Sequence, residues 1–167
     1  MKGDAKKLLQ YLEFGKSHFY IPVYQRNYEW SRPQCSQLFN DIEYIIEKGR
    51  TSHFFGSIVS VLNSVYGTDF LIIDGQQRLT TVSLILLAMH NLLKREEVVS
   101  TKPHLQQMIF EDYLVNKYEP EDKKIKLKNT SNNQVYYEKL FNDELVDGNG
   151  SNIVENYRYF VRRITDS

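Results

Sequence analysis

The run Leu71-Ile72-Ile73 stops at Asp74-Gly75 and turns at once into a helical pattern that opens with Gln76, Gln77 and Arg78. A strand that feeds a helix through a glycine leaves N–H groups without acceptors at the positive end of the helix dipole, where an anion is favoured. The N–H groups of Gly75 to Gln77 suit a phosphate, and Arg78 adds a bidentate, charge-assisted contact to it. Asp74 can hold Mg²⁺ or orient the site, and Gln76 or Gln77 can position a water or a base edge. A plainer reading stays open, in which Asp74 only caps the helix and Arg78 pairs with a nearby acid in solvent. The Gly-x4-Gly-Lys-Ser/Thr spacing of a Walker A loop is absent.

Two further segments carry candidate chemistry. Ile21 to Trp30 interleaves Tyr24, Tyr28 and Trp30 with Gln25, Arg26 and Asn27. Such a loop can stack a base while Arg26 meets a phosphate, or it can pack as a core edge with Arg26 paired to Glu29 or Asp41. In His53-Phe54-Phe55-Gly56-Ser57-Ile58-Val59, Gly56 within a strand pattern suggests a bulge or a close approach of backbone or ligand. His53 reads more simply as a surface or satisfied histidine than as a base. The four histidines have no metal-ligand spacing. Glu121-Asp122-Lys123 mimics a nuclease triplet but lacks a partner aspartate on a preceding strand. Lys124, Lys126, Lys128, Arg162 and Arg163 can touch a nucleic-acid backbone but read more simply as solvated faces.

The elements that position these residues follow from periodicity and punctuation. Residues 4–14 form an amphipathic pattern capped by Asp4, and Ser17 to Val23 is an edge strand or an extended segment on account of Pro22. Ser31 and Pro33 start a helix over Arg32 to Lys48. Phe54–Leu62 and Phe70–Ile73 flank a turn at Asn63–Asp69 and suit a hairpin. Gln76 to about Lys94 is apolar around most of its circumference, as expected of a central buried helix. Pro103 to Tyr118 reads as helix, Lys124 to Lys128 as a short alternating strand, and Ser131 to Phe141 as helix. A loop at 147–151 precedes a last helix carrying Ile153, Val154, Tyr157, Phe160, Val161 and Ile164. No stop signal follows that helix, so the chain is expected to belong to a longer protein.

Composition sets the class. At 167 residues with 41% hydrophobic and 25% charged residues, the chain can bury a core and is not disordered. Lys+Arg and Asp+Glu balance at 21 each, so the global charge of a nucleic-acid binder is missing, though a local patch is not excluded. Cys35 is the one cysteine, which excludes a disulfide framework and points to a reducing, cytosolic setting. No apolar run is long enough to span a bilayer.

Taken in order and spacing, Ile21-Pro22-x-Tyr24-Gln25-Arg26-x-Tyr28-x-Trp30, Phe55-Gly56-Ser57-Ile58-Val59 and Ile73-Asp74-Gly75-Gln76-Gln77-Arg78-Leu79-Thr80-Thr81 resemble the N-terminal domain of GmrSD-type modification-dependent restriction proteins. The resemblance is strong over residues 5–95 and fainter from Lys126 to Leu140. It implies an α+β fold with a ParB/sulfiredoxin-like core, residues 1–98, and a mainly helical extension, residues 99–167. It associates Asp74, Gly75, Gln76, Gln77 and Arg78 with binding and hydrolysis of a nucleoside triphosphate, with Mg²⁺ as a candidate ion at Asp74. Tyr24, Gln25 and Arg26 are the expected companions at that pocket. DNA and an HNH-type nuclease, joined in cis or supplied by a partner, are the implied partners of the full-length protein. No HNH-like His/Asn cluster occurs within these residues. A DNA-binding or modification-sensing module without catalysis is the alternative.

Overall fold

The strand that delivers Asp74 to the site is β3, Phe70–Asp74, an apolar segment with Ile72 fully buried. The computed structural model describes residues 10, 12–13, 18–49, 57–62, 69–144, 146 and 150–166. Within them β3 pairs antiparallel with β2, Val59–Leu62, and parallel with β1, Phe19–Tyr20. A fourth strand, β4 at Leu127–Lys128, runs parallel to β1, giving the order β2-β3-β1-β4. The hairpin expected of the two central segments is therefore present as β2–β3, with a register shift between Val59 and Ser60. His53, Phe54, Phe55, Gly56 and the turn around Gly67 lie outside the described residues, as does most of the helix expected over 4–14.

Among the described residues five α-helices complete an α+β architecture. Helix α1, Arg32–Glu47, starts as its sequence requires: Ser31 donates its N–H to Gln34 Oε1 at 3.0 Å, and Pro33 sits where no intrahelical donor is needed. Helix α2, Gln76–Lys94, is the centre of the fold, with Leu79, Leu84, Leu87, Ala88 and Leu92 fully buried. Helix α3, Leu105–Met108, is short, and α4 and α5 span Ser131–Phe141 and Asn152–Asp166. Helix α5 lays Ile153, Val154 and Phe160 against the core, and Asn91 of α2 donates to Tyr157 Oη at 2.8 Å and to the Leu140 carbonyl at 3.2 Å. Core residues on both sides of position 98 belong to one cluster. No helix among the described residues is long and apolar enough to cross a membrane.

Four expectations need correction. β1 is an interior strand rather than an edge strand, because it ends at Tyr20 and leaves Pro22 beyond the hydrogen-bonded ladder. The helix expected over Pro103–Tyr118 begins at Leu105 and widens at Ile109–Leu114 into π geometry, and Val115 already bridges to Ile125. Lys126 does not face solvent: it is 2% exposed and its ammonium donates to the carbonyls of Leu12 and Asp112, each at 2.8 Å. Burial lowers its pKa to about 8, against the opposing pull of Asp112 and Glu13. Arg163 is likewise committed, donating to Glu43 at 2.7 Å and Asn40 at 2.9 Å while lying over the Phe39 ring.

Candidate functional site

Gly75 makes the turn from β3 into α2 with φ +89°, a conformation that side chains resist. A Cβ there would stand 2.7 Å from the Ser57 carbonyl oxygen and 2.9 Å from Ile58 Cγ1, so the two residues before β2 also demand glycine. Asp74 is exposed, and its Oδ1 accepts the Gly75 N–H at 2.9 Å. Among the described residues the N–H groups of Gln76, Gln77 and Arg78 meet no acceptor, the state that favours an anion at a helix start.

The loop carrying Tyr24 to Trp30 is fastened against that turn by main-chain contacts. Gln77 Oε1 accepts the N–H groups of Glu29 at 2.8 Å and Trp30 at 3.2 Å, and its Nε2 donates to the Asn27 carbonyl at 2.9 Å. The buried Gln76 donates from Nε2 to the Arg26 carbonyl at 3.1 Å. Gln25 reaches the Ile73 carbonyl at 2.9 Å. From the opposite side α5 contributes Asn156, which donates to the Trp30 carbonyl at 2.7 Å, and Asn152, which donates to the Glu29 carbonyl at 3.3 Å.

Tyr28 turns inward. Its hydroxyl meets Thr81 Oγ1 at 2.7 Å and accepts from Asn156 at 2.9 Å, and burial raises its pKa far above the ordinary phenol range. The neighbouring Cys35 thiol is fully buried and pushed up to about 11, again by burial, so it remains a thiol with little nucleophilic character. Tyr24 and Arg26 point outward, the ring 72% exposed and the guanidinium side chain 74% exposed. Arg26 lies 3.7 Å from Glu29, a loose surface pair that solvent largely screens. Arg78 places its guanidinium 5.9 Å from the centre of the Trp30 ring.

A half-open cleft of about 180 Å³, solvent at its mouth included, runs along the first turns of α2. Arg26, Tyr28, Gln76, Gln77 and Thr80 line it, together with Asn129, Thr130 and Asn133 from the start of α4 and the residues before it. Among the described residues Arg26 is the one charged residue in the lining, and no carboxylate belongs to it. Of the residues expected at the site, Arg26, Gln76 and Gln77 therefore meet in one cleft, while Asp74 and Arg78 stand outside its lining and Tyr24 projects beyond it. Among the described residues no three His, Cys, Asp or Glu side chains cluster as metal ligands. A Mg²⁺ at Asp74 would therefore take its other ligands from phosphate oxygens and water, as that ion commonly does.

Asn129, Thr130 and Asn133 lie in the fainter part of the family resemblance and are not among the residues expected at the site. Their only signal is the polar run Asn129-Thr130-Ser131-Asn132-Asn133, which reads as a helix cap and nothing more. The asparagines of α5 give no signal at all, because they lie 123 to 128 residues from the groups they hold.

Comparison with curated proteins gives no match. Residues 7–165 match the family described as GmrSD restriction endonuclease, N-terminal domain, and this chain belongs to that family.

Proposed function

We propose that this domain binds a nucleoside triphosphate, and turns it over, within a restriction or anti-phage protein whose nuclease lies outside these 167 residues. The observation that carries the reading is the first turn of α2, whose N–H groups meet no acceptor among the described residues, next to a cleft lined by Arg26 and by no described carboxylate. The cleft is too small to enclose a ligand, so a nucleotide would lie across the exposed surface beside it. Phosphates bind the N–H groups of the first turn and Arg26, and Arg78 closes on them from the Trp30 side. Asp74 holds Mg²⁺ through its free oxygen or simply caps the turn.

The two glutamines take different parts in this scheme. Gln77 has three main-chain partners and acts as a positioning residue. Gln76 keeps its Oε1 available to orient a water, since only its Nε2 is engaged. Nucleotide turnover then gates DNA cleavage carried out elsewhere.

Titration with the four nucleoside triphosphates, with and without Mg²⁺, tests the reading. Binding that weakens at least ~10-fold in Arg26→Ala and Arg78→Ala is expected, about the worth of one charge-assisted contact. No binding, or binding indifferent to both substitutions, rejects it.

A second reading is a module that senses DNA or a DNA modification without catalysis. Exposure of the Tyr24 ring beside Arg26 favours it, because that pair can stack on a base and meet a phosphate. Modified and plain duplexes compared at two salt concentrations separate the two readings, and equal weak binding to both duplexes counts against this one.

A further inference from the structure

A β-turn beside β3 carries two bulky side chains in solvent. The Gln25 N–H donates to the Pro22 carbonyl at 3.0 Å, so Val23 and Tyr24 take the two central positions. Turn centres ordinarily carry glycine, proline, asparagine or aspartate. Here they carry a valine and a tyrosine, 88% and 72% exposed, which contribute little to the core. The base of the turn is fixed. Ile21 and Pro22 are buried, and the Arg26 carbonyl accepts from Gln76 at 3.1 Å. Ile73 is the residue that the register shift leaves outside the β2–β3 ladder, and its carbonyl accepts from Gln25 at 2.9 Å, so the bulge anchors the turn. Arg26 follows the tip by two residues, its side chain exposed and only loosely paired with Glu29.

We infer that the Val23–Tyr24 turn is a wedge that enters double-stranded DNA between adjacent base pairs, with Arg26 on the phosphate beside the opened step. A rigid apolar tip next to an exposed cation is the arrangement by which proteins unstack a base step while holding the backbone. An aliphatic residue at the tip gives a single strand nothing to stack on, whereas both residues fill an opened step, so a duplex is the fitting occupant. This rests on the DNA-binding reading above and adds to it how the duplex is engaged. The tip reads how easily a step opens, so flexible pyrimidine–purine steps and mismatches are favoured over any one base sequence.

The test uses the full chain with short duplexes, plain and modified, that carry 2-aminopurine at a central TA step, and with the single strand of the same sequence. The fluorescence of that base rises when it unstacks, and a rise is expected as the parent chain saturates the duplex. In the double variant Val23→Ser, Tyr24→Ser the rise should vanish and affinity should fall at least ~10-fold, while the slope of affinity against salt stays as it was. Arg26→Ala should instead lower that slope by about one. Both tip side chains are exposed, so the double variant should melt with the parent, which controls for folding. If the double variant binds the duplex as tightly and with the same fluorescence change, the inference fails while the DNA reading stands. Fluorescence unmoved by the parent at saturation, or a single strand bound more tightly than the duplex, also overturns it. A parent chain that binds no duplex, plain or modified, rejects the DNA reading itself and leaves the tip to a protein partner.

Discussion

Asn156, buried in the last helix, donates to the hydroxyl of Tyr28 at 2.9 Å, across 128 residues of sequence. The same amide donates to the Trp30 carbonyl at 2.7 Å, so α5 holds the loop from behind while Gln76 and Gln77 hold it from the front. Substitution Asn156→Ala leaves the Trp30 carbonyl without this donor, whereas Tyr28 keeps Thr81. A loss of about 1–3 kcal/mol is expected in urea unfolding, together with weaker nucleotide binding although Asn156 lies outside the cleft lining. Unchanged affinity would show that α5 stabilises the fold without setting the loop.

Gln77 can be dissected chemically. Gln77→Glu keeps an acceptor for the Glu29 and Trp30 N–H groups but sets a carboxylate against the Asn27 carbonyl, whereas Gln77→Leu removes all three bonds. The leucine variant is expected to be the less stable of the two at neutral pH, by ~1–2 kcal/mol. Hydrogen exchange of the Glu29 and Trp30 amides should speed up in Gln77→Leu and stay protected in Gln77→Glu. Equal exchange in both would argue that packing of Trp30, not the amide, fixes the loop.

Gly75 and Gly150 both have left-handed backbone, φ +89° and +87°, but only Gly75 has atoms where a Cβ would go. Gly150→Ala therefore meets the backbone penalty alone, about 1–2 kcal/mol. Gly75→Ala meets that penalty plus the clash with Ser57 and Ile58, and should cost clearly more. Thermal melting of the pair decides the matter, and equal losses would mean that Ser57 and Ile58 yield to a methyl group.

Lys126 gives the fold an alkaline signature. Its folded pKa, about 8, lies below the ordinary 10.5, so between those values the unfolded chain binds more protons than the folded one. Stability from this group consequently rises as pH climbs from about 8 to about 10.5, and is lost as pH falls back through 8. The difference in unfolding free energy between the parent and Lys126→Met should follow that slope. A flat difference curve would show that the ammonium stays charged through its bonds to Leu12 and Asp112.

Local order was legible in the sequence. The strand ending at Asp74, the turn at Gly75, the helix from Gln76 and the start at Ser31 each depend on residues within a turn of one another, and their chemistry is written there. The pairing of β2 with β3 was legible for the same reason. What escaped was set by distance and by partition. Alternation along Lys124–Lys128 separates two faces but cannot tell which meets water, and Lys126 went inward because two main-chain carbonyls awaited it. Asn129, Asn152 and Asn156 act across the fold, where neither period nor spacing records a partner.

Apart from the buried Tyr28 and the Asn27 amide, the loop between Arg26 and Trp30 is gripped by its peptide groups: the carbonyls of Arg26, Asn27, Glu29 and Trp30 and the N–H groups of Glu29 and Trp30. Every residue type except proline presents those same atoms. The side chains of Arg26 and Glu29 can thus be exchanged while the clasp that shapes the loop persists. Within this scaffold the chemistry offered to a ligand is separable from the shape that offers it, so selectivity can drift over evolutionary time without the domain having to be refolded around each new choice.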